Sequence, residues 1–443
     1  MSQTFTRARR LLILGGVLVM TLATLVPCSA AIPDAITLKT LYNFPGTPDG
    51  GFPEAGLVRN STTQVLYGTT ADGGTYGWGT IFQLVPAGGG VWKHTTLYSF
   101  TGGADGANPE AGLILGSGGV LYGTTTYGGS ADYGTVFSMA PAGGGKWTFK
   151  TLHTFTGGKD GANPEAGLYL NSTTGVLYGT TFAGGTSGFG TVYQLSPGTG
   201  GAYNEKLLYT FTGGTDGGNP IAGVVQVAST QVLYGTTYQG GTSGFGTVFQ
   251  VVPAKGGTWT QSVLYSFAGS TDGSGPEAGV TVGAGSILYG TAFWGGSSTG
   301  CPLGGYPTGC GTIFSLAPPT TKGNPWTFTV LYTFTGTGTD GAHPSQNLYL
   351  ASTGTLYGTT FSGGSTSNVC FTASYPGCGA AFSLAPPATS GNPWTETILH
   401  DFNGDDGGGP NGLIPGASGV YYSTTYNGGT LGGFGTLFQL AVQ

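Results

Sequence analysis

Seven aspartates recur in one setting, Asp-Gly-x-x-Pro, at Asp49, Asp105, Asp160, Asp216, Asp272, Asp340 and Asp406. Carboxylates gathered around one opening could hold a cation such as Ca²⁺, which takes oxygen ligands. The same side chain can instead close its own turn, accepting backbone N–H groups while the next glycine adopts positive φ. Glu54, Glu110, Glu165 and Glu277 follow the proline in four of the seven copies and add to the negative field. A residue repeated with every copy is expected to serve the repeat. The turn role is therefore the first expectation, no cofactor is expected, and Ca²⁺ is the alternative.

Aromatic residues offer a second chemistry, stacking on sugar rings. Trp78, Tyr133, Phe189, Phe245 and Phe434 each precede the glycine of a Gly-Thr-(Val/Ile/Leu)-(Phe/Tyr) string. Tyr127, Phe182, Tyr238, Phe293, Trp294, Phe361 and Tyr426 lie a few residues upstream. Packing between repeats is the competing role for both sets. Of the four histidines, His94, His153 and His400 fall in outer-strand segments, whereas His343 replaces the usual asparagine of an Asp-Gly-x-x-Pro string. Trp294, Asp340, His343, Phe361 and Tyr426 are the candidate ligand-binding residues. No catalytic residue is assigned. A glycosidase would need two carboxyl groups spaced across one bond. Asp340 with His343, or Asp405 with Asp406, are the pairings to consider, and nothing singles them out. No nucleophile elbow, phosphate loop or metal-binding histidine pair is evident.

Cys301 with Cys310, and Cys370 with Cys378, sit in two copies that carry the same ten-residue insertion, within 297–310 and 365–378. Their short intervals favour pairing inside each loop over cross-pairing, and the spacing is wrong for a Cys₄ zinc site. Such closed loops would give one side of the molecule a rigid, asymmetric bump.

These residues are carried by a repeat. Leu-Tyr-Gly-Thr-Thr begins at Leu66, Leu121, Leu177, Leu233 and Leu356, with altered copies at Leu288 and Tyr421. Successive spacings are 55, 56, 56, 55, 68 and 65 residues. The Gly-Thr string, with Gly379-Ala380-Ala381-Phe382 as its altered copy, a Leu-(Tyr/His)-x-Phe string and Asp-Gly-x-x-Pro each also count to seven. Each copy offers four short strands; in the second they are expected at Ala111–Leu115, Val120–Thr125, Gly134–Ala140 and Trp147–Phe155. No useful helical periodicity appears. Four strands at this period read as a propeller blade, close to the roughly 50 residues of kelch repeats. A β-solenoid or a string of small sandwiches is the competing reading. The last copy runs out before its fourth strand, and a matching strand stands alone at Ile36–Phe44. The expectation is an all-β, seven-bladed propeller of four-stranded blades, closed by the N-terminal strand and spanning 36–443. Loops after the second and fourth strands then share one face, the more elaborate and hence the expected binding face.

Leu66–Thr70 and its copies, the segments Gly184–Leu195 and Gly240–Val251, and Leu97–Leu113 resemble the GloVer tandem repeat, across essentially all of 36–443. That repeat occurs in bacterial proteins described as choice-of-anchor. The resemblance implies an extracytoplasmic repeat protein and no established activity. No C-terminal anchor is evident before Gln443, which weakens the expectation of surface attachment.

Composition limits the remaining classes. Gly (90) and Pro (25) are abundant among 443 residues, yet aromatics reach 12% and charged residues only 7%, the reverse of a disordered chain. Arg7, Arg9 and Arg10, an apolar run over 11–26, and Pro27-Cys28-Ser29-Ala30-Ala31 have the layout of a secretory signal peptide, assigned to 1–31. Beyond it only nine basic residues face 18 acidic ones, which disfavours nucleic acid as a partner. The expected protein is periplasmic or extracellular, monomeric and not inserted in a membrane after signal cleavage. Its expected role is a scaffold binding an unknown protein or polysaccharide through the loop-rich face. A carbohydrate-active enzyme (glycoside hydrolase or lyase-like) and a purely structural envelope or matrix protein are the alternatives.

Overall fold

Short runs of β-branched and aromatic residues, cut by Gly, Pro and Asp, can pair only with their near neighbours in sequence. They do so seven times around a ring. The computed structural model describes residues 36–442, apart from 228, 299, 302–308, 366–369, 371–374 and 390. The assigned signal peptide, 1–31, lies outside the described residues, as does much of each insertion.

In blade 2 the strands are Ile114–Leu115, Leu121–Thr125, Thr135–Gly143 and Lys146–Thr154, antiparallel and paired in that order. Blade 1 runs from Val58–Arg59 to Val91–Ser99 and blade 3 from Tyr169–Asn171 to Tyr203–Thr210. Blades 4, 5 and 6 end in Trp259–Ser266, Thr327–Thr333 and Thr395–Asp401. Blade 7 takes Ile414–Pro415, Val420–Asn427 and Thr436–Val442 from the end of the chain and its outer strand, Ile36–Asn43, from the beginning. The closing pair runs from Ile36 opposite Val442 to Asn43 opposite Thr436. The propeller is therefore closed by its N-terminal strand, as expected. Each outer strand bulges at the same place, for example at Leu208, which has no partner of its own between Tyr209 opposite Val192 and Leu207 opposite Tyr193, and this steepens the local twist as the blade widens.

The inner strands differ from expectation. In blade 2 only Ile114–Leu115 pairs, although Ala111–Leu115 is apolar enough to be a strand. The Ala111 carbonyl is occupied otherwise, accepting the Thr69 hydroxyl of the preceding blade at 3.0 Å. Thr124, Thr180, Thr236 and Thr359 make the same bond to the next blade, and Thr424 closes the circle onto Ala55 at 2.9 Å. The threonines of Leu-Tyr-Gly-Thr-Thr thus stitch neighbouring blades.

The core lies between blades. The phenylalanine ending each Leu-(Tyr/His)-x-Phe string is fully buried and meets an aromatic residue of the next blade's third strand. All seven pairs, from Phe44–Phe82 to Phe402–Phe438, have ring centroids 5.1–5.4 Å apart in edge-on geometry. Such pairs add about 0.5–1.5 kcal/mol each beyond the area they bury.

Candidate ligand-binding face and channel

The aspartates belong to their turns. Asp216 accepts the Thr212 amide and the Tyr209 hydroxyl, both at 2.9 Å, and Asp105 and Asp272 hold their turns in the same way. Asp49 takes the hydroxyl of Tyr42, while Asp340 takes the amide and hydroxyl of Thr335. Where histidine replaces the tyrosine it meets the same carboxylate, His400 at 2.7 Å from Asp406 and His153 at 3.7 Å from Asp160. Among the described residues no three His, Cys, Asp or Glu side chains gather as a metal-holding group.

Three residues after each aspartate the chain enters the left-handed region, with φ between 53° and 62° in all seven copies. Asn108, Asn163, Asn219, Gly275 and Gly409 suit that backbone, His343 tolerates it, and the bulky Phe52 is the outlier. The three asparagines also donate to a backbone carbonyl of the preceding blade, at 3.0–3.2 Å. The imidazole of His343 cannot make that short-range bond. Its Nδ1 pairs with the Ser362 hydroxyl at 2.7 Å, while Nε2 is buried without a hydrogen-bond partner among the described residues. Burial lowers this histidine to about 4, so it is neutral.

The aromatic residue before the third strand is a lid. Trp78, Tyr133, Phe189 and Phe245 lie across Gly102, Gly157, Gly213 and Gly269 of the next crossover. Gly213 shows why glycine is required: its φ is +74°, and a Cβ would stand 2.6 Å from the Phe189 ring. In blades 5 and 6 a disulfide takes the place of the ring. Cys301–Cys310 and Cys370–Cys378 are both bonded within their own loops, as expected. A Cβ on Gly336 would meet Cys301 Sγ at 2.5 Å, as a Cβ on Gly213 would meet the ring. The packing role weighed for these aromatics is thus present, yet the outer faces of Trp78 (46% exposed), Tyr133 (42%) and Phe189 (37%) remain open.

The loop-rich face opens onto a central channel of about 1050 Å³. Phe361 and Tyr426 line it, 6.4 Å apart, joined by Phe293 and by Tyr375 of the sixth-blade insertion. Trp294 and His343 are brought together at 4.8 Å but sit behind the wall, both buried, and touch the lining through Phe293 and Tyr375. Asp340 does not join them: its Oδ2 turns back to the amide and hydroxyl of Thr335, and its Oδ1 is buried without a hydrogen-bond partner among the described residues. Sequence reasoning missed Tyr375 altogether and did not place the glutamates in a site.

Glu54, Glu110, Glu165 and Glu277 all line the channel, and Ile221 and Ser345 take the corresponding places in blades 4 and 6. Burial first, then the charge of Glu110 and its neighbours, pushes Glu54 up to about 8. Burial, with Glu110, raises Glu165 to about 7; burial, with Glu165, raises Glu277 to about 8. Glu110 is raised by burial against the opposing bond from the Thr126 hydroxyl, 2.8 Å away. The aromatic half of the wall is in the same field: Tyr426 is raised by burial and then by Glu54 and Asp72. A channel with apolar rings on one arc and hydrogen-bonding carboxyls on another can hold a ligand that is apolar on its faces and polar on its edges.

A closed seven-bladed ring with this repeat places the molecule among the β-propellers. The chain belongs to the Gloeobacter/Verrucomicrobia repeat family, whose model matches residues 31–231 and 175–368. No curated protein matches it. Among solved structures it is similar to the PQQ-bound form of an aldose sugar dehydrogenase from Streptomyces coelicolor, at 13% identity and a TM-score of 0.44, over 93% of this chain and 99% of that one. A putative oxidoreductase (glucose dehydrogenase) from Thermus thermophilus follows at 13% identity and 0.40, over 92% and 100%. A protein of unknown function from Dyadobacter fermentans matches at 11% and 0.38, over 92% and 99%. At these scores the likenesses carry no functional weight.

Proposed function

We propose that this protein is an exported binding scaffold that receives a carbohydrate at the channel mouth on its loop-rich face. The observation that carries the reading is the divided wall of the channel. Phe293, Phe361, Tyr375 and Tyr426 come from blades 5 to 7, and three of the four channel carboxyls come from blades 1 to 3. Aromatic faces accept the C–H faces of a sugar, and carboxyls accept or donate hydrogen bonds at its hydroxyls. The two disulfides agree with an oxidising compartment.

Hydrolysis is the less favoured reading for a specific reason. An acid–base pair needs two carboxyls whose surroundings set them apart, one raised and one left ionised. All four channel glutamates are pushed the same way, upward. The test is calorimetric titration of the mature protein with oligosaccharides picked from a glycan array. Binding without release of reducing ends is expected. The Phe361→Ala, Tyr426→Ala double variant should weaken it about tenfold or more, some 1.4 kcal/mol, with folding intact. Release of reducing ends would establish an enzyme, and the absence of any glycan ligand would move the role to a protein partner or to structure.

A further inference from the structure

One of the seven crossover aspartates is released from most of its turn. Asp105, Asp160 and Asp216 each take both the amide and the hydroxyl of a threonine four residues upstream. Asp272, Asp340 and Asp406 also take an upstream amide. Before Asp49 the same place is Pro45, which has neither group to offer. The Tyr42 hydroxyl donates to Oδ2, with the His94 ring standing off at 3.8 Å, and Oδ1 takes no hydrogen bond among the described residues. The Asp49 side chain is 35% exposed, against 17% for Asp160 and Asp406.

Asp49 lines a groove of about 520 Å³ between the crossover that leaves Ile36–Asn43 and the outer strand of blade 1, a volume suited to a small ligand. It lies on the loop-rich face, and no residue lines both this groove and the channel. Tyr76 also lines it, with 58% of its surface exposed. Copies two to four hold Ala131, Ser187 and Ser243 in the place of Tyr76, so the repeat does not need the ring. Ser99, in the same wall, accepts the Thr75 amide at 3.3 Å and has its own proton unspent among the described residues. The hydroxyl of Thr96 is buried there without a hydrogen-bond partner among the described residues, where blades 3 to 6 have an aliphatic side chain. Three departures from the repeat thus meet in one groove: a proline that frees a carboxylate, a ring in place of a small residue, and a hydroxyl in place of an aliphatic group.

These groups select a ligand by exclusion and by fit. No described lysine, arginine or histidine lines the groove, so an anion finds no counter-charge. One carboxylate supplies too few oxygens to hold a metal ion. A carboxylate oxygen accepts hydroxyl protons strongly because of its charge, and a serine can donate to a hydroxyl or ether oxygen. An exposed phenol ring covers a flat face of C–H groups. A ligand with hydroxyls at its edge and C–H groups on its face is a sugar ring.

We propose that this groove is a second carbohydrate site, taking a neutral pyranose unit whose hydroxyls bond to Asp49 Oδ1 and Ser99 and whose ring lies on Tyr76. The proposal goes beyond the channel reading and does not rest on it, since the two sites share no residue.

Hydroxyl-radical footprinting of the mature protein, with and without neutral hexasaccharides of glucose, galactose and mannose, tests it. At least one of the three should shield Tyr76 from oxidation. Asp49→Asn keeps an oxygen for the Tyr42 hydroxyl and should leave the melting temperature unchanged. It should raise the sugar concentration that half-shields Tyr76 about tenfold, equivalent to about 1.4 kcal/mol. Tyr76→Ala, which copies the residue of blade 2, should fold normally and lose this site in a calorimetric titration. Oxidation of Tyr76 that no sugar alters, or half-shielding unchanged in Asp49→Asn, would overturn the proposal. A sugar that shields Phe361 and Tyr426 but not Tyr76 would overturn it and leave the channel reading standing. Shielding of Tyr76 alone would uphold the groove and remove the channel as the place of binding. The wild-type footprint decides the matter even where a variant does not fold.

Discussion

At six of the seven crossovers one aspartate gathers groups from both sides of a turn, an amide that opens it and the phenol or imidazole of the strand before. At Asp49, where Pro45 has no N–H to offer, the phenol of Tyr42 stands without that amide. Asp160 shows the exchange most clearly, because its partner is His153 at 3.7 Å, in a place where Tyr98, Tyr209 and Tyr265 make true hydrogen bonds of 2.9–3.0 Å. His153→Tyr should therefore leave stability unchanged or raise it by about 1 kcal/mol, the ordinary worth of one hydrogen bond. Asp160→Ala strips the Thr156 amide of its acceptor, at 2.8 Å, and should cost about 1–3 kcal/mol. Urea unfolding of the two variants checks both. The role of this aspartate was legible in the sequence, since Asp followed by Gly is turn chemistry. The pairing of Asp340 with His343 was legible only as proximity along the chain: the carboxylate turns back to Thr335 while the imidazole turns inward to Ser362.

Among the elements, the outer strand of blade 7 bears the clearest test. Ile36–Asn43 pairs with Thr436–Val442 along its whole length and covers the one edge that the C-terminal half cannot cover. A chain that begins at Phe44 should lose on the order of 3 kcal/mol or more, comparable to emptying a core position, and expose an edge prone to pairing with other chains. Adding a peptide of 36–43 should restore the melting temperature, and an unchanged melting curve without it would contradict the closure. This strand could be recognised from sequence because a missing fragment and its orphan complement stood at opposite ends. The inner strands could not be drawn correctly. Ala111 looks like a strand residue, and what removes it from the ladder is a threonine hydroxyl from another blade, 42 positions away. Tyr375 was invisible for a related reason: it lies in an insertion that has no counterpart in the plain copies, and only the folded ring carries it to Phe361, 5.8 Å away. The lids, by contrast, left a trace in the sequence, the cysteines standing where other copies have an aromatic ring.

For the whole ring, the channel carboxyls make stability depend on pH in a definable window. Glu54 and Glu277 titrate at about 8 and Glu165 at about 7 when folded, well above an unfolded glutamate. Over that interval the folded ring holds more protons than the unfolded chain, so stability falls as pH rises. His94, His153 and His343 are lowered by burial and act only below about 6.5, where acid works against the fold. The melting temperature should thus climb as pH is lowered from about 8 to about 6.5, and a Glu54→Gln, Glu165→Gln, Glu277→Gln variant should flatten the climb. A flat profile in wild type would mean that the carboxyls are better solvated than the structure shows. The glutamates were easy to overlook because four copies of a residue look like part of the repeat; their significance lies in the three blades without them.

The strand that seals blade 7 also sets an order in time. Ile36–Asn43 is synthesised before any other strand of the ring, yet its partner Thr436–Val442 arrives last. Until then the opening strand waits with both edges bare while six complete sheets assemble behind it. A chain broken off anywhere short of Thr436 never covers it and stays adhesive, a mark by which proteases and chaperones can tell an unfinished product from a finished one.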